Sequence, residues 1–285
     1  MLERDGYPAG VPCWVDTTQP DPQAASDFYG SLFGWTFENR LPDDAPVPYL
    51  VAQVRGRDVA AIGPPYEGGP SSVWNTYVWV DDADATAAKV KDAGGRVLDP
   101  PSDVLDYGRM AVFADPEGAV FCVWQAKSHR GAQVVNEPNS WVFSELHSRN
   151  PNGAAAFYAS VFDWELVTIG AAGNEFSMFA LAGYGDYLKA RDPELQGGQE
   201  ADGVPDGFED VVAWLIPITD DQPADVPAHW GVTFAVEDCD VSVAKAQDLG
   251  ATVVVPPFEA PPVRMSILVD PQGAPFTASQ YKPDD

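Results

Sequence analysis

The chain has little of what metal and disulfide chemistry uses. Its 285 residues include only three histidines, His129, His147 and His229, and three cysteines, Cys13, Cys122 and Cys239. The cysteines are odd in number and widely spaced, so they read as reduced thiols of a cytoplasmic protein rather than a disulfide frame or a zinc site. Basic residues are scarce as well. Sixteen Lys and Arg face 43 Asp and Glu, a formal charge of −27. Such a surface repels phosphate backbones and anionic lipid heads, so neither nucleic acid nor membrane is expected as a partner. No apolar run reaches the ~18 residues of a membrane span. The N-terminus, Met1 to Gly6, lacks the basic and apolar stretches of a signal peptide.

Apolar side chains are plentiful. Hydrophobic residues make up 45% of the chain and aromatics 12%, enough for genuine cores, and the length favours two domains. The order of the residues shows how those domains arose. Asp27-Phe28-Tyr29-Gly30-Ser31-Leu32-Phe33-Gly34-Trp35 returns as Ala156-Phe157-Tyr158-Ala159-Ser160-Val161-Phe162-Asp163-Trp164, 129 residues later, and Pro22 returns as Pro151. Trp74, Val80, Asp82, Lys89 and Gly94 return as Trp230, Val236, Asp238, Lys245 and Gly250, 156 residues later. Asp115-Pro116-Glu117-Gly118-Ala119 returns as Asp270-Pro271-Gln272-Gly273-Ala274. Ordered matches with one large change of offset mean a tandem duplication in which half two carries an insertion of 27 residues.

Each half reads as two βαβββ modules, an α+β arrangement of four modules in all. Helices are expected over 22–32 and 151–161. Asp21 caps the first, Pro22 opens it, Ala25, Phe28, Tyr29 and Leu32 form its apolar face, and Gly34 stops it. Half one spans 11–126, a polar joint 127–139, and half two 140–281 with the insertion within 182–210.

A strand, a helix bearing Phe-Tyr, a Phe-Gly-Trp turn and a later Asp-Pro-Glu-Gly before an apolar strand resemble the glyoxalase / bleomycin-resistance / extradiol-dioxygenase superfamily. In particular they look like its two-domain actinobacterial members. The resemblance implies paired modules forming curved mixed sheets, each a cup that holds a ligand and, in the enzymes, a divalent metal. It also implies where the metal ligands would fall: Trp14 and Phe143 on the first strands, Asn75 and Gly231 on the paired strands, and Cys122 and Thr277 on the last. A fourth position falls at Ile62 or Gly63, and near Leu215. Those residues do not supply imidazoles and carboxylates, so no metal and no other cofactor is expected.

If Trp14 and Phe143 face the cup, alternation places Asp16 and Thr18, and Glu145 and His147, beside them. Glu145 and His147 would then stand about 7 Å apart on one strand, either an acid–base pair able to shuttle a proton or a salt bridge at the rim. His229 reads as a surface or loop residue, because the repeat puts Val73 at its place. Arg109 and Arg264 recur in both halves, as anion-binding guanidiniums at the cup edge or as structural ion pairs. Gln125 and Gln280 read as strand-terminal amides bonded to backbone. Trp14, Tyr77, Trp79 and Trp124 in half one, and Phe143, Phe176 and Phe179 in half two, would suit a flat aromatic ligand as walls or, for most of them, serve as ordinary core packing. Tyr184 and Phe208, inside the insertion, would contact that ligand if the insertion is a lid; otherwise it is a solvated loop of no consequence to the site.

The expected function is a metal-independent member of this superfamily, monomer or homodimer. It would bind a small hydrophobic or aromatic metabolite and catalyse proton-transfer chemistry of the lyase, isomerase or cyclase type. One alternative is a sequestering protein of the bleomycin-resistance type. Another is a metal-dependent glyoxalase or dioxygenase.

Overall fold

The computed structural model describes residues 3–42, 44–65, 71–169, 176–191 and 207–282. Half one runs β1 (Pro12–Thr18), α1 (Pro22–Phe33), β2 (Thr36–Asn39), β3 (Leu50–Val54) and β4 (Arg57–Gly63). It continues with β5 (Val73–Trp79), α2 (Ala83–Asp92), β6 (Arg96–Val104), β7 (Gly108–Ala114) and β8 (Val120–Ala126). Half two repeats the order with β9 (Trp141–Ser148), α3 (Pro151–Phe162), β10 (Glu165–Ile169), β11 (Phe176–Ala180), α4 (Tyr184–Arg191) and β12 (Val211–Pro217). It ends with β13 (His229–Ala235), α5 (Cys239–Asp248), β14 (Thr252–Ala260), β15 (Val263–Val269) and β16 (Pro275–Tyr281). Four βαβββ modules are present, and α4 belongs to the insertion.

The modules pair within each half. One curved, unclosed sheet has the order β2-β3-β4-β1-β5-β8-β7-β6, the other β10-β11-β12-β9-β13-β16-β15-β14. The junctions match residue for residue. Thr18 pairs with Val73 and Asp16 with Asn75; His147 pairs with His229 and Glu145 with Gly231. Offsets of 129 and 156 connect the two sets, so the sequence repeat carries the register with it.

Local chemistry explains the repeated ends. Asp21 accepts hydrogen bonds from the backbone N–H of Gln23 and Ala24, and Asn150 accepts one from Gly153. Each satisfies donors that an open first turn leaves orphaned. Gly34 closes α1 in the left-handed region at φ 72°; Asp163 takes the same place after α3 at φ 61°, a conformation a side chain disfavours.

The helices also tie the two halves together. Phe28 and Phe33 of α1 pack on Phe276 of the other half, and Phe157 and Phe162 of α3 pack on Phe121. Lys89 donates from its Nζ to the carbonyl of Val161 at the end of α3, and Lys245 does the same to Leu32 at the end of α1. A cation there complements the negative end of a helix dipole. Tyr29 donates to Asp270 at 2.9 Å, and Tyr158 donates to Asp115 at 3.3 Å. The Phe-Tyr pairs are core, as expected, but the core they fill lies across the duplication. Thr76 and Ser144 meet hydroxyl to hydroxyl at 2.6 Å between β5 and β9. Each sheet thus turns its helical face to the other half and its concave face away.

Candidate active site

Trp74 donates to Tyr29 of α1, so even-numbered positions of β5 face the helices. Asn75, Tyr77 and Trp79 therefore face the cup, with Trp14, Asp16 and Thr18 of β1. In half one that cup is filled. Asp16 accepts from Asn75 Nδ2, the Tyr49 hydroxyl and the Tyr77 hydroxyl, each at 2.9 Å. Burial still pushes its carboxyl above the usual range. Trp14 donates to the Tyr49 hydroxyl at 3.2 Å.

The segment 127–139 does more than join the halves: it plugs this cup. The His129 ring meets Trp14 edge-on at 4.5 Å and Trp124 at 5.6 Å, and Trp124 donates to the His129 carbonyl. Burial drives the His129 imidazole down to about 4, so it is neutral near pH 7. Arg130 covers Trp79 at 5.3 Å. Trp14, Asp16, Thr18, Trp79 and Trp124 are all buried. Trp14, Trp79 and Trp124 are part of the main hydrophobic core, beneath the plug.

Among the described residues the corresponding face of half two is less deeply buried. Phe143, Glu145 and His147 line one side of the β9–β13 junction, His229, Gly231 and Thr233 the other. Phe143 packs with Trp214 at 5.5 Å and with Phe208 of the insertion at 6.0 Å, and Phe176 stacks on Trp214 at 5.8 Å. Phe143, Phe176, Phe208 and Trp214 are only half-buried, unlike the indoles of half one. Phe179 does not belong to this wall. It faces the helices, against Tyr158 and Trp164.

On the floor, Glu145 is 4% exposed and accepts a hydrogen bond from the Thr233 hydroxyl. Desolvation raises its carboxyl to about 7, against the opposing pull of that bond. His147 stacks on His229, with ring centres 4.4 Å apart and planes 5° from parallel. Burial, then the neighbouring imidazole, lowers His147 to about 4, so it is neutral at pH 7. His229 is thus no idle loop residue; it is the cross-strand partner of His147. Its Nδ1 lies 2.9 Å from the Pro227 carbonyl. A carbonyl only accepts, so Nδ1 carries a proton. The expected rim salt bridge between Glu145 and His147 is not among the ion pairs of the described residues.

Gly231 makes this floor possible. A Cβ there would lie 2.7 Å from Glu145 Oε2 and 3.6 Å from His147 Nε2. Both functional atoms therefore converge over a residue with no side chain. Its counterpart in half one is Asn75, which fills the same space and bonds Asp16. A glycine inside a strand marks a close approach, and that signal was available in the sequence.

Arg109 and Arg264 lie elsewhere. Arg109 makes two hydrogen bonds to Asp84 of α2, and Arg264 two to Asp240 of α5. They are structural ion pairs on the helical face. Their strand partners agree: Gln125 accepts from the backbone of Ala83 and Gln280 from that of Cys239. Phe208 packs on Phe143, and Tyr184 lines a cavity with Phe143 and Arg4, while residues 192–206 and 170–175 lie outside the described residues.

Comparison with known proteins agrees with this geometry. Residues 14–123 match the model of the Glyoxalase/Bleomycin resistance protein/Dioxygenase superfamily, and residues 140–279 match a glyoxalase-like domain. CFP32 of Mycobacterium tuberculosis, which carries a provisional glyoxylase name, is 38% identical, with 99% of each chain covered. The chain belongs to the glyoxalase / bleomycin-resistance / dioxygenase superfamily. The anthracycline biosynthesis protein DnrV of Streptomyces peucetius is 33% identical over 97% of this chain and 95% of its own. Among solved structures, a Mn(II)-bound glyoxalase from Novosphingobium aromaticivorans has a TM-score of 0.57 at 17% identity, covering 97% of this chain and 85% of that one. The 2,3-dioxygenase LapB from Pseudomonas sp. KL28 has a TM-score of 0.58 at 14% identity, covering 96% and 93%. These likenesses establish the shared fold.

The superfamily implies a divalent metal in a cup, and the residues here do not fit one. In half two the implied positions hold the Phe143 ring, side-chain-free Gly231 and the Thr277 hydroxyl. In half one Trp14 and Asn75 are spent on Tyr49 and Asp16, and burial holds the Cys122 thiol well above its usual pKa. Among the described residues no three His, Cys, Asp or Glu side chains gather to hold an ion. His147 and His229 do not substitute, since lone pairs in parallel stacked rings do not converge on one point.

Proposed function

We propose that this protein binds a small, flat aromatic metabolite in the cup of half two and moves a proton on it without a metal. The observation that carries the reading is the floor of that cup. A buried carboxyl poised near pH 7, Glu145, and a neutral imidazole, His147, converge over Gly231 beneath aromatic walls. A carboxylate so placed accepts a proton from a carbon or oxygen acid in its ionised form and returns one in its neutral form. His147 accepts or relays a proton through Nε2. The aromatic walls exclude water and orient the ring. The naming of DnrV for anthracycline biosynthesis supports a flat aromatic ligand for a relative with this same two-half layout. Half one serves as scaffold on this reading, and the described parts of the insertion cover the ligand.

Titration of a dihydroxyanthraquinone, followed by tryptophan fluorescence, tests the assignment. His147→Ala should weaken binding or turnover by about tenfold or more, as loss of a polar contact to a bound ligand does, whereas Thr18→Ala should change neither. Binding without turnover in the wild type would favour the sequestering role. Loss of binding in Thr18→Ala, with His147→Ala unchanged, would show that the half-two assignment is wrong.

A further inference from the structure

Phe143 and Phe208 of the half-two cup also line a cavity of about 130 Å³ between the N-terminal segment, β9 and the insertion. Arg4, Tyr7, Trp141, Phe143, Tyr184 and Phe208 are among the residues that line it. Arg4 is the unusual one. Only 9% of it is exposed, yet its Nε and Nη1 find no hydrogen-bond partner among the described residues. No carboxylate of the described residues lies within ion-pair distance of it, in a chain with 43 acids. Glu209 also lines the cavity, but its carboxylate is 3.8 Å from Lys189. What Arg4 has is aromatic: the Tyr7 ring at 5.5 Å and the Tyr184 ring at 6.0 Å. Beside it the buried Trp141 Nε1–H is unpartnered as well.

A guanidinium cannot shed its proton to escape burial. A buried charge without a counter-ion is costly, and proteins normally pair it. Here the backbone is anchored, since the Arg4 backbone N–H donates to the Gln133 carbonyl at 2.8 Å and Tyr7 donates to the Ala132 carbonyl at 2.6 Å. The N-terminal segment is thus fastened to the plug of half one while its cation points into half two. Two unpaired guanidinium nitrogens and an unpaired indole N–H form a ready fork for a carboxylate, enolate or phenolate oxygen. The volume suits a single ring, since a cavity of about 150 Å³ accepts benzene.

We propose that Arg4 and Trp141 form an anion subsite, and that the ligand of half two is a flat aromatic acid whose anionic group is held there. Its ring would lie on Phe143 and Phe208, which places the opposite edge toward Glu145. The position of the ring rests on the half-two reading above; the charge of the ligand rests on Arg4 alone.

Benzoate and its neutral isostere benzamide are the probes, titrated into the full chain by calorimetry. Benzoate should bind at least tenfold more tightly than benzamide and should raise the unfolding temperature, which benzamide should not. Arg4→Met should lose about 30-fold in benzoate affinity with benzamide unchanged, while Arg4→Lys, which keeps the charge, should retain the thermal shift in part. Should Arg4→Met fold poorly, the probe pair on the wild type and on Arg4→Lys still decides. Equal binding of the two probes, absence of any benzoate effect, or full benzoate affinity in Arg4→Met would overturn the proposal. An anthraquinone result assigning the ligand to Thr18 would remove the half-two reading without altering the benzoate comparison.

Discussion

Replacing Asp270 by alanine should cost about 4 kcal/mol of stability, the largest loss expected from any single truncation away from the cup. Asp270 sits in the turn before β16, 4% exposed, and holds four donors at once. Its Oδ2 accepts from Gln19 Nε2 at 2.7 Å and from the Tyr29 hydroxyl at 2.9 Å; its Oδ1 accepts from the backbone N–H of Gln272 and Ala274, each at 2.9 Å. Gln19 and Tyr29 are fully buried and belong to the other half. Tyr29 in turn accepts from Trp74 at 3.0 Å. Truncation strands buried donors in both halves, each costing about 1–3 kcal/mol, partly recovered by relaxation and water. Asp270→Asn should cost less, because the turn keeps its acceptor and only the side facing Tyr29 and Gln19 is spoiled. Urea unfolding at 25 °C reads the difference. A midpoint shift worth under 1 kcal/mol for the alanine variant would show that the cross-half bonds do not hold the halves together.

Much of this architecture is legible in the sequence because it is local and doubled. Expected helices over 22–32 and 151–161 appear as Pro22–Phe33 and Pro151–Phe162, since caps, proline and apolar spacing are readable within a dozen residues. The offsets transmit the register, so Glu145 and His147 fall on the cup face of β9 by alternation alone. Alternation also contained the answer for Arg109: it neighbours Gln125 across the strands, on the face opposite Trp124. What was not legible depends on distant fit. Nothing periodic in 127–139 signals that His129 will fill one cup, and indoles at cup positions look the same whether the cup is open or plugged. His229 could not be read from its repeat partner, because Val73 carries no trace of a role that needs His147 opposite. Arg4 lies before the repeat begins, where no duplicate exists for comparison.

Glu145→Gln should make the protein more stable at pH 8 than the wild type while leaving it no more stable at pH 4, a change in relative stability of about 3 kcal/mol between the two. The reason is the raised carboxyl. Near 4.5 in an unfolded chain and about 7 when folded, Glu145 keeps a proton in the native state that the unfolded state has already released. At 1.36 kcal/mol for each decade, that displacement amounts to about 3 kcal/mol. Below pH 4.5 both states are protonated and nothing is lost. From 4.5 to 7 the unfolded state binds fewer protons, so wild-type stability falls as pH rises; above 7 both are ionised and the deficit is constant. A neutral amide escapes all of this. His147 and His129 act in the opposite sense: lowered to about 4, they refuse a proton that the unfolded chain accepts, so their contribution is lost as pH falls through 6.5 toward 4. Both imidazoles are present in wild type and variant alike, so the difference between the two proteins at each pH isolates Glu145. The same substitution should abolish proton transfer, lowering turnover by about 10²–10⁴ as loss of a general base does. Gain of stability with loss of turnover is the signature of a group kept buried for chemistry rather than for folding. Guanidinium unfolding at half-unit steps from pH 4 to 8 gives the curve. A wild-type-minus-variant gap that stays flat across that range would mean that Glu145 titrates as an ordinary carboxylate and is not poised for proton transfer at neutral pH.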